Sequence, residues 1–237
     1  MGKIELKSKG RLPMSATYED VLKRLIEERH RLSWTQKEMS KCVRMEQSNY
    51  SKVELGLRRL SYYDLKYLCE TDVDVHYVYT GQKSSGQYAS LFRECSYDEL
   101  ICYLRIIYSV SEWKYKEDAP GKWKLVFEKI KYVSLIQDNQ KHYNIFEEIR
   151  HSLNYQQQKM AGLLGVDVKK LRDLENGRRL PDSELLYRIY ELFCVSPTAI
   201  LKDRKGMANE LGILLDLLDS DCQKSMFETI AAIHDID

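Results

Sequence analysis

SWTQKEMSKCVRMEQSNYSKVELGLRRLS, residues 33–61, is the stretch on which the fold turns. Its apolar residues recur at three and four positions instead of alternating, the period of a helix whose one face is buried. Ser33 or Thr35 is suited to cap a helix beginning near 35, because a short side-chain oxygen there accepts a free N–H of the first turn. Gly56 is suited to end a further helix in the left-handed conformation. Two short helices, at about 35–42 and 46–54, follow from these signals.

The segment has an echo. ELGLRRL (54–60) is answered by ENGRRL (175–180), and a shift of 121 aligns residues 18–80 with 139–201 without a gap. The identities are Glu27/Glu148, Arg29/Arg150, His30/His151, Leu32/Leu153, Gln36/Gln157, Met39/Met160, Glu54/Glu175, Gly56/Gly177, Arg58/Arg179, Leu65/Leu186 and Glu70/Glu191. They fall on helix ends, core positions and charged pairs, which chance would not favour, so duplication is the simpler explanation. Each half then holds five helices, at about 18–30, 35–42, 46–54, 61–70 and 74–80, and at about 139–151, 156–163, 167–175, 182–192 and 196–202.

The whole chain agrees with an all-α class. Its 237 residues are 43% hydrophobic, enough for real cores, and its 11 Gly and 4 Pro are few. No apolar run reaches the length of a membrane span and the start lacks the apolar segment of a signal peptide, so a cytoplasmic location is expected. The six cysteines (Cys42, Cys69, Cys95, Cys102, Cys194, Cys222) form no CxxC pair and read as reduced core thiols. The histidines lack metal-ligand spacing. No Walker loop, dinucleotide fingerprint or nucleophile–base arrangement is present, so neither cofactor nor metal is expected, and no enzyme. A net charge of +1 does not by itself indicate nucleic acid, but its distribution is uneven: four Lys/Arg against one Glu in 1–16, seven Asp/Glu against one Lys in 207–237.

Residues 33–61 resemble the Cro and phage-repressor type of helix-turn-helix family, whose motif runs T-Q-x-x-apolar-small, then a recognition helix, then E-x-G-x-R. YQQQKMAGLLGVDVKKLRDLENGRRLPD (155–182) resembles it too, and its GLLGVD turn and Pro181 fit better. The resemblance implies two five-helix, lambda-repressor-like domains that bind double-stranded DNA, the third helix of each entering the major groove. It assigns Gln36 to a phosphate and to bracing Gln47, places Gln47, Ser48 and Lys52 toward base edges, and makes Asn49 and Ser51 phosphate contacts. Gln suits adenine and Lys suits guanine. In the second copy the matching positions are Gln157, Val168, Lys169 and Asp173, with Lys170 and Arg172 beside them. Arg58 and Arg178 complete the expected DNA-binding set. Val168 suits a thymine methyl, whereas Asp173 puts a carboxylate where Lys52 stands. Arg29 with Glu54, and Arg150 with Glu175, are implied to be structural salt bridges joining the end of the first helix to the end of the recognition helix.

The expected organisation is a basic arm at 1–16, whose Lys3, Lys7, Lys9 and Arg11 suit a minor groove or fray freely; a first helix-turn-helix domain at 17–81; a helical connector at 82–138; a second domain at 139–204; and amphipathic helices at 205–237. GQKSSGQ (81–87) reads as a flexible linker that leaves the orientation of the two domains open. In the connector, Leu100, Ile101, Leu104 and Ile107, then Leu125, Phe127, Ile130, Val133 and Ile136, suggest a helical hairpin. The tyrosines near 97–132, with Trp113 and Trp123, read as core more readily than as a ligand pocket. The terminal stripes, Leu211, Leu214, Leu215 and Leu218, then Met226, Phe227, Ile230 and Ile233, suit either packing within the chain or a homodimer interface.

Two functions remain. The first is a DNA-binding transcriptional regulator, a repressor by resemblance, whose two heads imitate in one chain the pair that phage repressors make by dimerising. Its half-sites would lie roughly 10 base pairs apart and differ in sequence. The second is an antitoxin-like or immunity-type interaction module in which one or both domains dock protein, a reading that Asp173 and the acidic terminus favour.

Overall fold

A computed structural model describes residues 17–83, 88, 91–115, 145–193, 195–216 and 218–234. Among these residues are thirteen helices and no strand, so the chain is all-α. The basic arm, linker residues 84–87, the second apolar run at 125–136 with Trp123, and residues 139–144 of the expected first helix of the second half lie outside the described residues.

The first unit comprises α1 (Tyr18–Arg31), α2 (Gln36–Cys42), α3 (Gln47–Glu54), α4 (Tyr62–Cys69) and α5 (Val75–Thr80). After α6 (Tyr97–Tyr115), the second unit repeats the order as α7 (Ile145–Ser152), α8 (Gln157–Leu164), α9 (Val168–Glu175), α10 (Ser183–Phe193) and α11 (Pro197–Leu201). Helices α12 (Arg204–Asp216) and α13 (Ser220–His234) follow. Thr35 caps α2 in a box with Glu38: the Glu38 N–H donates to Thr35 Oγ1 at 3.2 Å and the Thr35 N–H to Glu38 Oε2 at 2.7 Å. The Thr35 N–H and the Thr35 hydroxyl, both donating to Glu38 Oε2, hold the Glu38 carboxyl below its usual range. Ser33 instead takes the left-handed bend before the cap, with φ 57°, and its counterpart Asn154 has φ 53°.

Each unit has its own core. Val21, Leu25, Met39, Val43, Tyr50, Val53, Leu65 and Leu68 fill the first; Phe146, Ile149, Met160, Leu164, Leu171, Leu174 and Ile189 fill the second. The cores are not independent. Leu186, Tyr187 and Leu201 of the second unit are buried in the first unit's core, and Ile200 packs against both.

Polar contacts complete this seam, and Ser183 is their hub. Its hydroxyl lies 2.6 Å from the Tyr18 hydroxyl and accepts the Leu60 N–H at 3.1 Å. The Ser183 N–H donates to the Leu60 carbonyl at 3.0 Å, and its own carbonyl accepts the Tyr79 hydroxyl at 3.3 Å. At the rim Arg59 Nε meets Glu184 Oε2 at 2.6 Å, and the paired arginines Arg59 and Arg188 hold the Glu184 carboxyl below its usual range against the opposing effect of its partial burial. The linker composition suggests free orientation of the heads; the packed seam joins them.

A third core lies beside the pair. Leu100, Ile101, Leu104 and Ile107 of α6 bury against Leu211, Leu214 and Leu215 of α12, with Leu218, then Met226 and Ile230 of α13, and Tyr88 and Phe92. The terminal stripes therefore pack within the chain, because α6 supplies the apolar face that completes them; Phe227 and Ile233 stay partly exposed. Cys95 and Cys222 are buried thiols, but Cys102 faces outward on α6, contrary to the expectation of a core position, since its neighbours Ile101 and Tyr103 already occupy the inner face. Among the described residues no helix is long and apolar enough to cross a membrane.

Ser183→Ala removes the acceptor of a buried backbone N–H and the partner of Tyr18. It should lower unfolding free energy by about 1–3 kcal/mol at unchanged m-value in a urea titration. A loss below about 0.5 kcal/mol, the scatter of ordinary surface changes, would show that the seam does not depend on it.

Candidate nucleic-acid interface

The face that could meet DNA is positioned by a carboxylate at the end of α3. Glu54 accepts from Arg29 Nε at 2.6 Å and Nη2 at 3.1 Å, and from the Gln36 amide nitrogen at 2.8 Å. Arg29 Nη1 also donates to the Trp34 carbonyl at 3.0 Å. The second unit repeats the set: Arg150 Nε to Glu175 at 2.6 Å, the Gln157 amide to Glu175 at 2.6 Å, and Arg150 Nη1 to the Tyr155 carbonyl at 3.4 Å. The side chains of Glu54 and Glu175 are only 6% and 4% exposed, so each acid is costly to leave unpaired and locks three helices together. In the first unit Tyr50 lies beside the pair; burial first, then the charge of Glu54, keeps its hydroxyl protonated well above the usual range. Leu171 takes that place in the second unit.

Gln36 and Gln157 are held by these carboxylates. Their amide nitrogens donate to the buried carboxylates, Gln36 to Glu54 and Gln157 to Glu175. The physical reason is that a desolvated carboxylate with an open lone pair binds a donor more strongly than the half-exposed surface does.

Between the two helices of each motif the chain makes one left-handed step, at Arg44 with φ 53° and at Gly165 with φ 63°. The Met45 N–H then returns to the Ser40 carbonyl at 2.9 Å, and Val166 to Ala161 at 3.0 Å. Gly165 meets this demand without strain, and a Cβ there would lie 2.0 Å from Arg188 Nη1. Arg44 carries a side chain through the same conformation and lays its guanidinium on the Tyr67 ring, 4.1 Å from the centroid. Asp167 caps α9 by accepting the Lys170 N–H at 2.6 Å; Glu46, at the matching place before α3, makes no such bond.

On the outer face, Gln47, Ser48 and Lys52 are exposed, while Asn49 and Ser51 are half-buried. On α9, Lys169 and Arg172 are exposed, Val168 is half-buried, and half-buried Lys170 stands 4.0 Å from Asp182. Asp173 is drawn back: Arg179 Nε lies 3.7 Å from it, and its side chain is 18% exposed. The carboxylate that seemed to oppose a phosphate is thus partnered by the cation of its own unit. Arg58 and Arg178 are both exposed in the loops that follow. Sequence reading overlooked Arg44 and Arg179, although Arg179 was visible as one of the repeated residues. It also overlooked Leu55 and Leu57, which are 69% and 75% exposed where the second unit has Asn176 and Arg178.

Compared with known families, residues 143–204 match a helix-turn-helix domain. That span runs from just before α7 past α11, so the match covers the second unit. No curated protein and no solved structure matched the chain.

Arg29→Ala and Arg150→Ala should each cost about 3–5 kcal/mol, since each strands a buried carboxylate. Arg29→Lys keeps the charge but not the two-pronged geometry and should recover only part of that loss. Denaturant unfolding of the three variants measures this, and a cost under about 1 kcal/mol would demote the bridge to an ordinary surface pair.

Proposed function

We propose that the chain is a sequence-specific regulator of transcription that reads double-stranded DNA with two helix-turn-helix units, acting as a repressor by occupying its site in the cytoplasm and catalysing no reaction. The carrying observation is the repeated bracing of α3 and α9 by Glu54 and Glu175, which leaves the outer side of each helix turned to solvent. The family match over 143–204 supports a DNA-binding role for the second unit. In this reading Gln47, Ser48 and Lys52 contact bases, Asn49, Ser51 and Arg58 contact the adjoining backbone, and Val168 and Lys169 read the other half-site. Lys170, Arg172 and Arg178 supply phosphate contacts there, while Gln36 and Gln157 act through the carboxylates they hold.

A second reading has one specific support. The exposed Leu55 and Leu57 make the loop after α3 apolar, a surface better suited to protein than to phosphate, so the first unit would then be a docking module of the antitoxin or immunity kind.

Selection of bound sequences from random duplexes separates the two. Wild type should enrich a two-part site; Gln47→Ala/Lys52→Ala should lose one part and Lys169→Ala/Arg172→Ala the other, each weakening binding roughly tenfold or more per lost base pair preference. Affinity should fall steeply with salt, and each phosphate-contacting cation removed should lower the log–log slope by about 0.9. Loss confined to the second double variant would assign the first unit to protein docking, and absence of any enrichment would overturn the DNA reading.

A further inference from the structure

Two units in one chain can be paired head to tail or about a two-fold axis, and contacts distinguish these. In a head-to-tail pair, position i of one unit meets position j of the other and the reverse contact is missing; a two-fold pair returns it. Counting by the repeat of 121, Tyr62 corresponds to Ser183 and Tyr79 to Ile200. The Tyr62 hydroxyl donates to the Ile200 carbonyl at 3.3 Å, and the Tyr79 hydroxyl donates to the Ser183 carbonyl at 3.3 Å. The same two positions thus meet in both directions. The equivalent helices α5 and α11 also lie against each other, as elements beside a two-fold axis must.

We propose that the two units pair about an internal, approximate two-fold axis, and that one chain therefore reads two half-sites in opposite orientation. The site is an inverted pair of non-identical halves, bound by a single copy. This rests on the DNA-binding reading above and adds orientation and stoichiometry to it. The symmetry is approximate because part of the seam is one-sided: Tyr18 and Leu60 bond to Ser183, and Arg59 to Glu184, through side chains whose counterparts differ. Lys66 Nζ, donating to the Leu201 carbonyl at 2.7 Å, adds a further bond across α4 and α11, so the orientation is held by packing and not by the linker. A rigid two-fold protein imposes its symmetry on the DNA it reads.

Because the wild-type halves differ in sequence, their orientation becomes visible once both heads read the same bases. The graft Val168→Gln, Lys169→Ser, Lys170→Asn, Arg172→Ser and Asp173→Lys gives α9 the outer residues of α3. Selection from random duplexes with the full-length grafted chain should then enrich a palindrome. Reversing one half of it should weaken binding by roughly 100-fold, the gain of a second tethered contact. Native mass spectrometry should find one chain per duplex. The reciprocal graft, Gln47→Val, Ser48→Lys, Asn49→Lys, Ser51→Arg and Lys52→Asp, serves if circular dichroism shows that the first does not fold. A direct repeat, a lone half-site or two chains per site would overturn the two-fold pairing and leave DNA binding intact. A wild-type chain that enriches nothing would remove both.

Discussion

A carboxylate buried at the end of a helix has to be answered by donors, and in this chain the answer comes from two other helices at once. Glu54 draws Arg29 from α1 and Gln36 from α2, and Glu175 draws Arg150 and Gln157 in the same way. Charge burial makes the arrangement unforgiving, since removing one donor leaves a desolvated acid. Because the acid sits on α3 or α9, what it fixes is the helix whose far face is free to read a ligand. Exposure of Gln47, Ser48 and Lys52, or of Lys169 and Arg172, is a consequence of that anchoring.

The anchor was legible in the sequence because its chemistry is demanded twice. Arg29/Arg150, Gln36/Gln157, Glu54/Glu175 and Gly56/Gly177 are identities of the repeat, and the helices they bound, the start of α7 aside, lie within about a residue or two of where periodicity places them, the usual uncertainty of helix ends. Conformation repeats more faithfully than residues do. Ser33/Asn154, Arg44/Gly165, Gly56/Gly177 and Gly81/Lys202 all have positive φ at the same interval of 121, yet glycine fills both places only once. A backbone needs the sign of φ, which Ser, Asn, Arg and Lys can adopt at some cost, so residue identity conceals most of this agreement. Gln36 was legible as important and not as to partner, because spacing along a helix assigns a face without saying which group waits beside it.

The seam was not legible. Ser183 bonds to Tyr18, Leu60 and Tyr79 across separations of more than 100 residues, and neither hydrophobic period nor turn chemistry carries information about such pairings. Linker composition pointed the other way, since a Gly- and Ser-rich segment reports only local stiffness. Leu186, Tyr187 and Leu201 override it by lying in the first core. The terminal stripes show the same limit: Leu211 and Leu215 need an apolar partner, and only the fold shows that α6 provides it.

What differs between the units bears on what they are for. Bracing residues are held in common, while outer residues diverge: Gln47 against Val168, Ser48 against Lys169, Ser51 against Arg172, Leu57 against Arg178. Relaxed divergence of a redundant copy would also alter an exposed face, but it gives no reason for cations to be gained. Lys169, Arg172 and Arg178 are all exposed, and Asp173 on the same helix as the first two is turned toward Arg179. Opposed charges around a phosphate-lined groove would cancel the electrostatic part of affinity, so partnering Asp173 within the unit preserves that part. The first unit, with its uncharged Gln47, Ser48 and Asn49, has more capacity for directional hydrogen bonds to base edges. On the proposed reading, the first head discriminates through hydrogen bonds and the second through its cations and Val168, a difference that two identical subunits of a homodimer could not make.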